Sequence, residues 1–298
     1  MRKEKGKRMR LGALEAGGTK MVLAVGDESG KIEKELTIPT TTPQETIPKM
    51  IEFFVEHKVE ALGIGCFGPI DLNPASMTYG YITTTPKVVW RNCNLVGAFK
   101  SALQIPIGFD TDVNAAALGE ATWGSTKGLS DSIYITIGTG IGVGVMQNNS
   151  LLHGMLHPEA GHILLMKSEE DSFLGKCPYH KTCFEGLASG PAIEKRWGNP
   201  AQALTNRKEV WELEAYYIAQ ALMNYILVLS PKRIVLGGGV MKQEQLFPLI
   251  RRRVTELLNG YIVTREIEDM EHYIVPAALQ GRQGILGGLA LATQAYHK

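Results

Sequence analysis

The stretch Met9 to Ile38, MRLGALEAGGTKMVLAVGDESGKIEKELTI, decides the fold. An apolar run reaches Ala16, a Gly-Gly-Thr turn follows, a second apolar run reaches Val25, and DESG leads into a third run ending at Ile38. Short apolar runs separated by glycine-rich punctuation read as strands, so this is a three-stranded meander. Pro43 to His57 then reads as a helix and Glu60 to Gly65 as a further strand. The same grammar returns from Ser132 to Gly154 in SIYITIGTGIGVGVMQNNSLLHG: strand, Gly/Thr turn, strand, polar turn and a short third strand. A repeat spaced by about 120 residues is far too long for a solenoid. It predicts an α/β chain of two domains built on one hairpin plan, each aiming a Gly/Thr turn at a shared cleft.

The chain has 298 residues and is 44% hydrophobic, enough to bury the cores of two ordinary domains. Its formal charge of +1 argues against an electrostatic nucleic-acid binder. The leader MRKEKGKR, residues 1–8, carries five basic groups against one acid and reads as a solvated, disordered start, with the fold beginning near Met9. No apolar run reaches membrane-spanning length, and the leader lacks an apolar signal segment. A cytoplasmic protein without nucleic-acid or membrane partners is expected. Of four cysteines, Cys66 and Cys93 read as isolated reduced thiols.

Cys177 and Cys183 stand in CPYHKTC, and HPEAGH precedes them. The spacing C-x2-H-x2-C puts Cys177, His180 and Cys183 on one tight turn, and His162 arrives from a separate segment. Thiolate and imidazole in that number suit one tetrahedral Zn²⁺ with no open position, a structural site and not a Lewis acid. Two buried cysteines beside a surface histidine are the plainer alternative. Closing a metal site here would also fix Glu159 and Glu185, and a carboxylate held that rigidly can bind hydroxyl groups.

The turns Glu15-Ala-Gly-Gly-Thr-Lys20 and Ile137-Gly-Thr-Gly-Ile-Gly142 lack Cβ atoms where backbone N–H groups would approach phosphate, and Thr19 and Thr139 add hydroxyls. Lys20 offers countercharge. Neither turn is a P-loop or a dinucleotide fingerprint, and each alone reads equally as a tight hairpin. A third glycine run, Val235 to Val240, sits where a predicted strand meets a helix. In Gly108 to Glu120, IPIGF reads as a buried strand and AAALGEA as a helix, so Asp110, Asp112 and Asn114 fall at their junction with side chains projecting into the cleft. Asp112 is the general-base candidate for phosphoryl transfer to a hydroxyl. A helix cap is the competing role.

These pieces, in this order, resemble the ROK family of sugar kinases and regulators from about Met9 to the C-terminus. ALEAGGTK, GCFGPIDL, TPKVVW, DTDVNAAALGE and CPYHKTCFEGLASGP look most like the bacterial fructokinase branch. The resemblance implies the actin/hexokinase-like, duplicated ribonuclease H-like fold: two α/β domains around a central cleft, closing on ATP and a sugar. It puts the smaller domain at 9–115, with a helix at about 284–298 packing back on it, and the larger domain with its zinc loop at 116–283. It implies ATP-dependent phosphorylation of a hexose, D-fructose to fructose 6-phosphate, with Mg²⁺, one structural Zn²⁺ and a homodimer. Asp112 matches the base. Gly68, Pro69, Thr111, Glu159, His162 and Glu185 match sugar-side positions. Gly17, Gly18, Thr19, Lys20, Gly138, Thr139 and Gly140 match phosphate turns, and Pro191, Gly238, Gly239, Val240 and Met241 the adenosine side.

Three departures stand out. Glu15 replaces the Asp of many relatives near the Mg²⁺ shell. Thr111 stands where glucose-type members commonly carry Asn, which weakens a glucose assignment. CPYHKTC exchanges one thiolate of the usual cysteine-only arrangement for imidazole, a site that should lose metal more readily on acidification. Kinases for mannose or glucose, and a sugar sensor or regulator without turnover, are the alternatives. A DNA-reading module would need more than the eight residues before the first strand.

Overall fold

The computed structural model describes residues 9–298. The basic leader at 1–8 lies outside the described residues. The chain divides into two compact units, 9–124 with 153–157 and 282–298, and 125–152 with 158–281. The division falls after Gly124 and not at 115, because the helix bearing Asp112 packs its small residues within the first unit.

In the first unit the expected meander is present as β1 (Leu11–Ala16), β2 (Lys20–Gly26) and β3 (Ile32–Pro39), followed by α1 (Pro43–Glu56) and β4 (Ala61–Cys66). A two-stranded ribbon, β5 (Tyr81–Ile82) and β6 (Cys93–Asn94), precedes α2 (Leu95–Leu103), β7 (Ile107–Thr111) and α3 (Asp112–Trp123). The sheet order is β3-β2-β1-β4-β7, antiparallel through β3-β2-β1 and parallel through β1-β4-β7. Its central strands are apolar on both faces. Leu14, Ala16, Met21 and Leu23 pack with Met50, Phe54 and Phe99, whereas Leu11, Ala13, Val22 and Ala24 pack with Ile285, Leu289 and Ala292 of the C-terminal helix (Gln283–Tyr296). Each such Leu or Phe is worth about 1.5–3 kcal/mol on burial. Glycine lets that helix approach: a Cβ on Gly287 would lie 1.7 Å from the Ala115 carbonyl oxygen, and one on Gly63 1.8 Å from that of Gly288.

The second unit repeats the plan. β8 (Ser132–Ile137), β9 (Ile141–Gln147) and β10 (Ser150–Leu151) form the meander, and after α4 (Phe184–Ala188), α5 (Gly190–Trp197) and α6 (Lys208–Leu229) come β11 (Ile234–Gly237), α7 (Leu246–Leu258), α8 (Arg265–Glu268), α9 (Met270–Tyr273) and β12 (Ile274–Pro276). The order β10-β9-β8-β11-β12 carries the same pattern of antiparallel and parallel pairs. Trp211, Ile218 and Leu222 of α6 fill the core against Ile133, Ile135 and Val143. Among the described residues, no helix is long and apolar enough to cross a membrane.

Candidate functional site

In the first unit three parallel strands end side by side. Ala16 pairs with Cys66 and Cys66 with Thr111, so the Gly17 turn, the Gly68-Pro69 segment and Asp112 leave the same edge of the sheet. Carboxyl ends of parallel strands are where α/β sheets bind ligands. Adjacent strands lie about 4.8 Å apart, which separates the Gly17 turn from Asp112 by roughly 10 Å. The peptide Gly68–Pro69 is cis.

The Gly17 N–H closes its own turn on Glu15 O and Lys20 O at 3.1 Å each, and Thr40 ties the turn from outside, its hydroxyl donating to Gly17 O at 2.7 Å. The amides of Gly18 and Thr19 carry no hydrogen bond among the described residues. Two adjacent open amides on a fixed turn are an anion cradle. In the second unit Gly138 N–H closes on Gly140 O at 2.9 Å, leaving the amides of Thr139 and Gly140 likewise open. Around that turn the other predicted glycines gather. Gly190 N–H donates to Gly138 O at 2.8 Å, fixing Pro191 at the start of α5, and Gly238 (φ 92°) backs so closely on Ile137 that a Cβ would meet its carbonyl oxygen at 2.4 Å. The run continues into a 3-10 turn at Val240–Lys242, so Gly239, Val240 and Met241 stand at its entry, before α7 begins.

Asp112 is the first residue of α3, partly exposed, with Oδ1 accepting the Val113 N–H at 2.8 Å. Burial raises its carboxyl above the ordinary value, opposed by backbone hydrogen bonds. Thr111 is the N-cap, its hydroxyl accepting the Asn114 N–H at 3.1 Å. The capping role therefore belongs to Thr111, which is buried, and Asp112 is left with its second oxygen uncommitted to the cap. Asp110 and Asn114 do not project into open space: both are buried, and Asn114 Nδ2 donates to Asp110 Oδ1 at 2.7 Å. A side chain two residues earlier on the strand, or two later on the helix, turns inward instead. Glu15, at the end of β1, is pushed up to about 7, by burial first and by the charge of Asp112 second, with Lys20 opposing.

The Cys/His cluster assembles within the second unit. One ligand atom from each of His162, Cys177, His180 and Cys183 lies within 4.8 Å of every other. His162 Nδ1 is 3.5 Å from Cys183 Sγ and 3.8 Å from Cys177 Sγ, and His180 Nδ1 is 3.8 Å from Cys177 Sγ. A tetrahedron with arms of 2.0–2.3 Å has edges of about 3.3–3.8 Å, so the donor set fits zinc in both chemistry and spacing. Backbone N–H groups of His180 and Gly186 reach the Cys177 and Cys183 sulfurs at 3.4 Å, the usual support for thiolate charge. His162 uses Nδ1 toward the sulfurs, which leaves Nε2 for another partner. Glu159 begins the 3-10 turn that carries His162. Glu185, two residues past Cys183, accepts the Ile141 N–H at 3.0 Å, so it also braces the second Gly/Thr turn.

The family model described as "ROK family" matches residues 11–295. This chain belongs to the ROK family. A fructokinase of Pediococcus pentosaceus is 48% identical over 96% of this chain and 99% of its own, and a fructokinase of Lactococcus lactis subsp. cremoris 46% identical over 96% and 98%. Among solved structures, the ROK hexokinase of Thermus thermophilus superposes with a TM-score of 0.78 at 26% identity, covering 96% of this chain and 98% of that one. The fold is the actin/hexokinase-like α/β fold of ROK hexokinases and glucokinases.

Two histidines given no role by the sequence, His153 and the His157 that opens HPEAGH, belong to the first unit. His153 Nε2 pairs with the buried Asp110 Oδ2 at 2.8 Å, a hydrogen bond that raises the imidazole pKa, and the Ile70 N–H donates to His157 Nε2 at 3.3 Å. His153 thus grips the strand end two residues before Asp112. Sequence carries no signal for these pairs, whose partners are 43 and 87 residues apart.

Proposed function

We infer that this chain is a fructokinase, transferring the γ-phosphoryl group of ATP to the 6-hydroxyl of D-fructose. The observation that carries the reading is near-full-length identity of 46–48% to two fructokinases, joined to Asp112 directly after β7, whose end is in register with the strand that leads into a glycine turn with open amides. Asp112 accepts the proton of the attacking hydroxyl. A base in this reaction needs placement more than an unusual pKa, and the Thr111 cap supplies placement. The amides of Gly18, Thr19, Thr139 and Gly140 receive phosphate oxygens, Lys20 adds charge, and the Gly190-Pro191 and Gly238–Met241 segments receive the adenosine. Mg²⁺, when bound, would neutralise charge on the phosphates, and Glu15, beside the phosphate turn, is the carboxylate that would face its shell.

Glu159, His162 through Nε2, Glu185, Thr111 and the Gly68-Pro69 segment take the sugar in this reading. Zinc at His162, Cys177, His180 and Cys183 contributes no chemistry to the transfer. With four protein donors it would have no open position, and it would hold the segments bearing Glu159, His162 and Glu185 in register.

A coupled assay with Mg-ATP across fructose, mannose, glucose and N-acetylmannosamine tests the assignment. Fructose should give the highest kcat/KM. Faster turnover of another hexose would overturn the fructose assignment, and ATP hydrolysis indifferent to any sugar would overturn the kinase.

A further inference from the structure

Lys87 is the lysine of TPKVVW, to which the sequence assigned no role, yet its side chain lies over Gly18 of the Gly17-Gly18 turn. A Cβ built on Gly18 would stand 2.7 Å from Lys87 Cε and 3.7 Å from its Nζ. Among the described residues the ammonium group forms no ion pair and donates no hydrogen bond. A surface lysine usually extends into water, where hydration of its charge is greatest. This one is half-buried and rests on the one face of the turn that lacks a side chain.

Its loop is fixed by the same segment that fixes the turn. The Lys87 N–H donates to Thr85 Oγ1 at 3.3 Å and its carbonyl accepts the Trp90 N–H at 2.8 Å. Trp90 is fully buried, edge-on to Phe67, and its indole N–H donates to Thr41 O at 2.7 Å. Thr40, the preceding residue, bonds Gly17 O through its hydroxyl and Thr19 O through its N–H at 3.0 Å. Thr40 and Thr41 therefore hold the open amides and the Lys87 loop in one frame. Lys20, by contrast, is exposed and sits close enough to Glu15 to oppose the upward push on that carboxyl.

We propose that Lys87 binds the terminal phosphoryl group of the nucleotide, together with the open amides of Gly18 and Thr19, and stabilises the charge that group carries during transfer. This rests on reading Gly17–Lys20 as a phosphate turn. The in-register strand ends put Asp112 roughly 10 Å from that turn. A phosphorus under attack from a hydroxyl on Asp112 falls between the two, so the group within reach of the Lys87 ammonium is the one being transferred and not the β-phosphate left behind. A preplaced, weakly solvated cation costs no reorganisation when charge shifts in the transition state. Glycine at position 18 then has a second reason: any side chain would displace the lysine from its place over the turn.

Lys87→Met keeps the stem and removes the charge, and Lys87→Arg restores it. Titration calorimetry with Mg²⁺ and a non-hydrolysable ATP analogue should show about tenfold weaker binding for Lys87→Met, with ADP affinity within twofold of the parent. The same variant should lose about 10²-fold in kcat, with the KM for fructose unchanged, and Lys87→Arg should recover most of both. A merely structural lysine would move ADP and ATP-analogue affinity together. Thr19→Val separates this proposal from the reading beneath it. Weaker analogue binding in Thr19→Val with parent-like Lys87→Met overturns the role of Lys87 alone. Parent-like binding in both overturns the phosphate turn, and Lys87 with it. A raised KM for fructose in Lys87→Met, with nucleotide affinity unmoved, would place the lysine on the sugar and overturn the proposal as well.

Discussion

Asp112 owes its availability to Thr111. A helix needs its first N–H groups satisfied, and Asp is as good an N-cap as Thr, so the sequence alone left the two roles exchangeable. With Thr111 taking the Asn114 N–H, the carboxylate one residue later is held by the first turn without being consumed by it. Asp112→Asn should therefore fold and bind fructose as the parent does, yet lose about 10²- to 10⁴-fold in kcat. Steady-state kinetics beside a sugar-binding titration check this, and kcat within a few-fold of the parent would remove Asp112 from the chemistry. Glu15 allows a test without substrate. Its carboxyl is raised in the fold to about 7 from 4.5, chiefly by burial, so the folded protein favours the protonated form. That contribution to stability is complete below about pH 4.5 and is lost as pH rises through about 7. Glu15→Gln stays neutral throughout and should exceed the parent in Tm at pH 8, with the gap closing towards pH 5. At about 1.4 kcal/mol per unit the ceiling is about 3 kcal/mol, and partial exposure brings it nearer 1. A gap that widens on acidification would reverse the sign.

The segment between β10 and α4 has almost no regular structure, and two polar clusters do what a sheet would otherwise do. At one end the four Cys/His ligands converge. Between His162 and Cys177, Asp171 accepts from Tyr217 at 2.6 Å and pairs with Arg196 at 3.2 Å, and the guanidinium stacks 4.6 Å from Phe173, so the segment is stapled to α5 and α6. The staple does not depend on metal. Elemental analysis should find about one zinc per chain. Cys177→Ser should lose it and weaken fructose binding and thermal stability together, while ATP-analogue affinity stays within a few-fold, since α5 and the Gly138 turn keep their own bonds. Unchanged sugar affinity in the metal-free variant would show that the cluster does not order the substrate side. Elements of this kind mark how far sequence reading carries. Strand, turn and helix are local, and the Gly17 and Gly138 turns announced themselves by composition. The cluster was legible because four soft ligands are chemically rare. Lys87 over Gly18, His153 on Asp110 and the Asp171–Arg196–Tyr217 staple were not, because ordinary charged and polar residues gain meaning only from partners brought close by folding.

At the scale of the whole chain, a duplicated five-stranded plan leaves each unit with its own core, and the first unit is completed only when the last helix of the chain returns to it. That return depends on absent side chains. Gly287 meets the Ala115 carbonyl, Gly119 faces that of Gln283, and Gly63 that of Gly288, so backbone packs on backbone where no Cβ fits. Ala115, Ala116 and Ala117 of α3 are all buried and Ala115 backs on Gly287, which is why the AAALGE run continues the first unit and does not open the second. Overpacking of this sort usually costs about 1–3 kcal/mol, and a clash with backbone cannot be relieved by a rotamer change. Gly287→Val should lower Tm by roughly 5 °C or more, a domain of this size losing about 2–4 °C per kcal/mol. Hydrogen exchange should locate the loss. Protection should fall in β1, β4 and α3, because these carry the C-terminal helix, while β8, β9 and α6 keep theirs and metal content matches the parent's. Because α3 begins at Asp112, the variant should also lose kcat more than it loses affinity for the nucleotide. An even loss of protection across both sheets would mean that the two cores melt as one, and that the helix is not the private closure of the first.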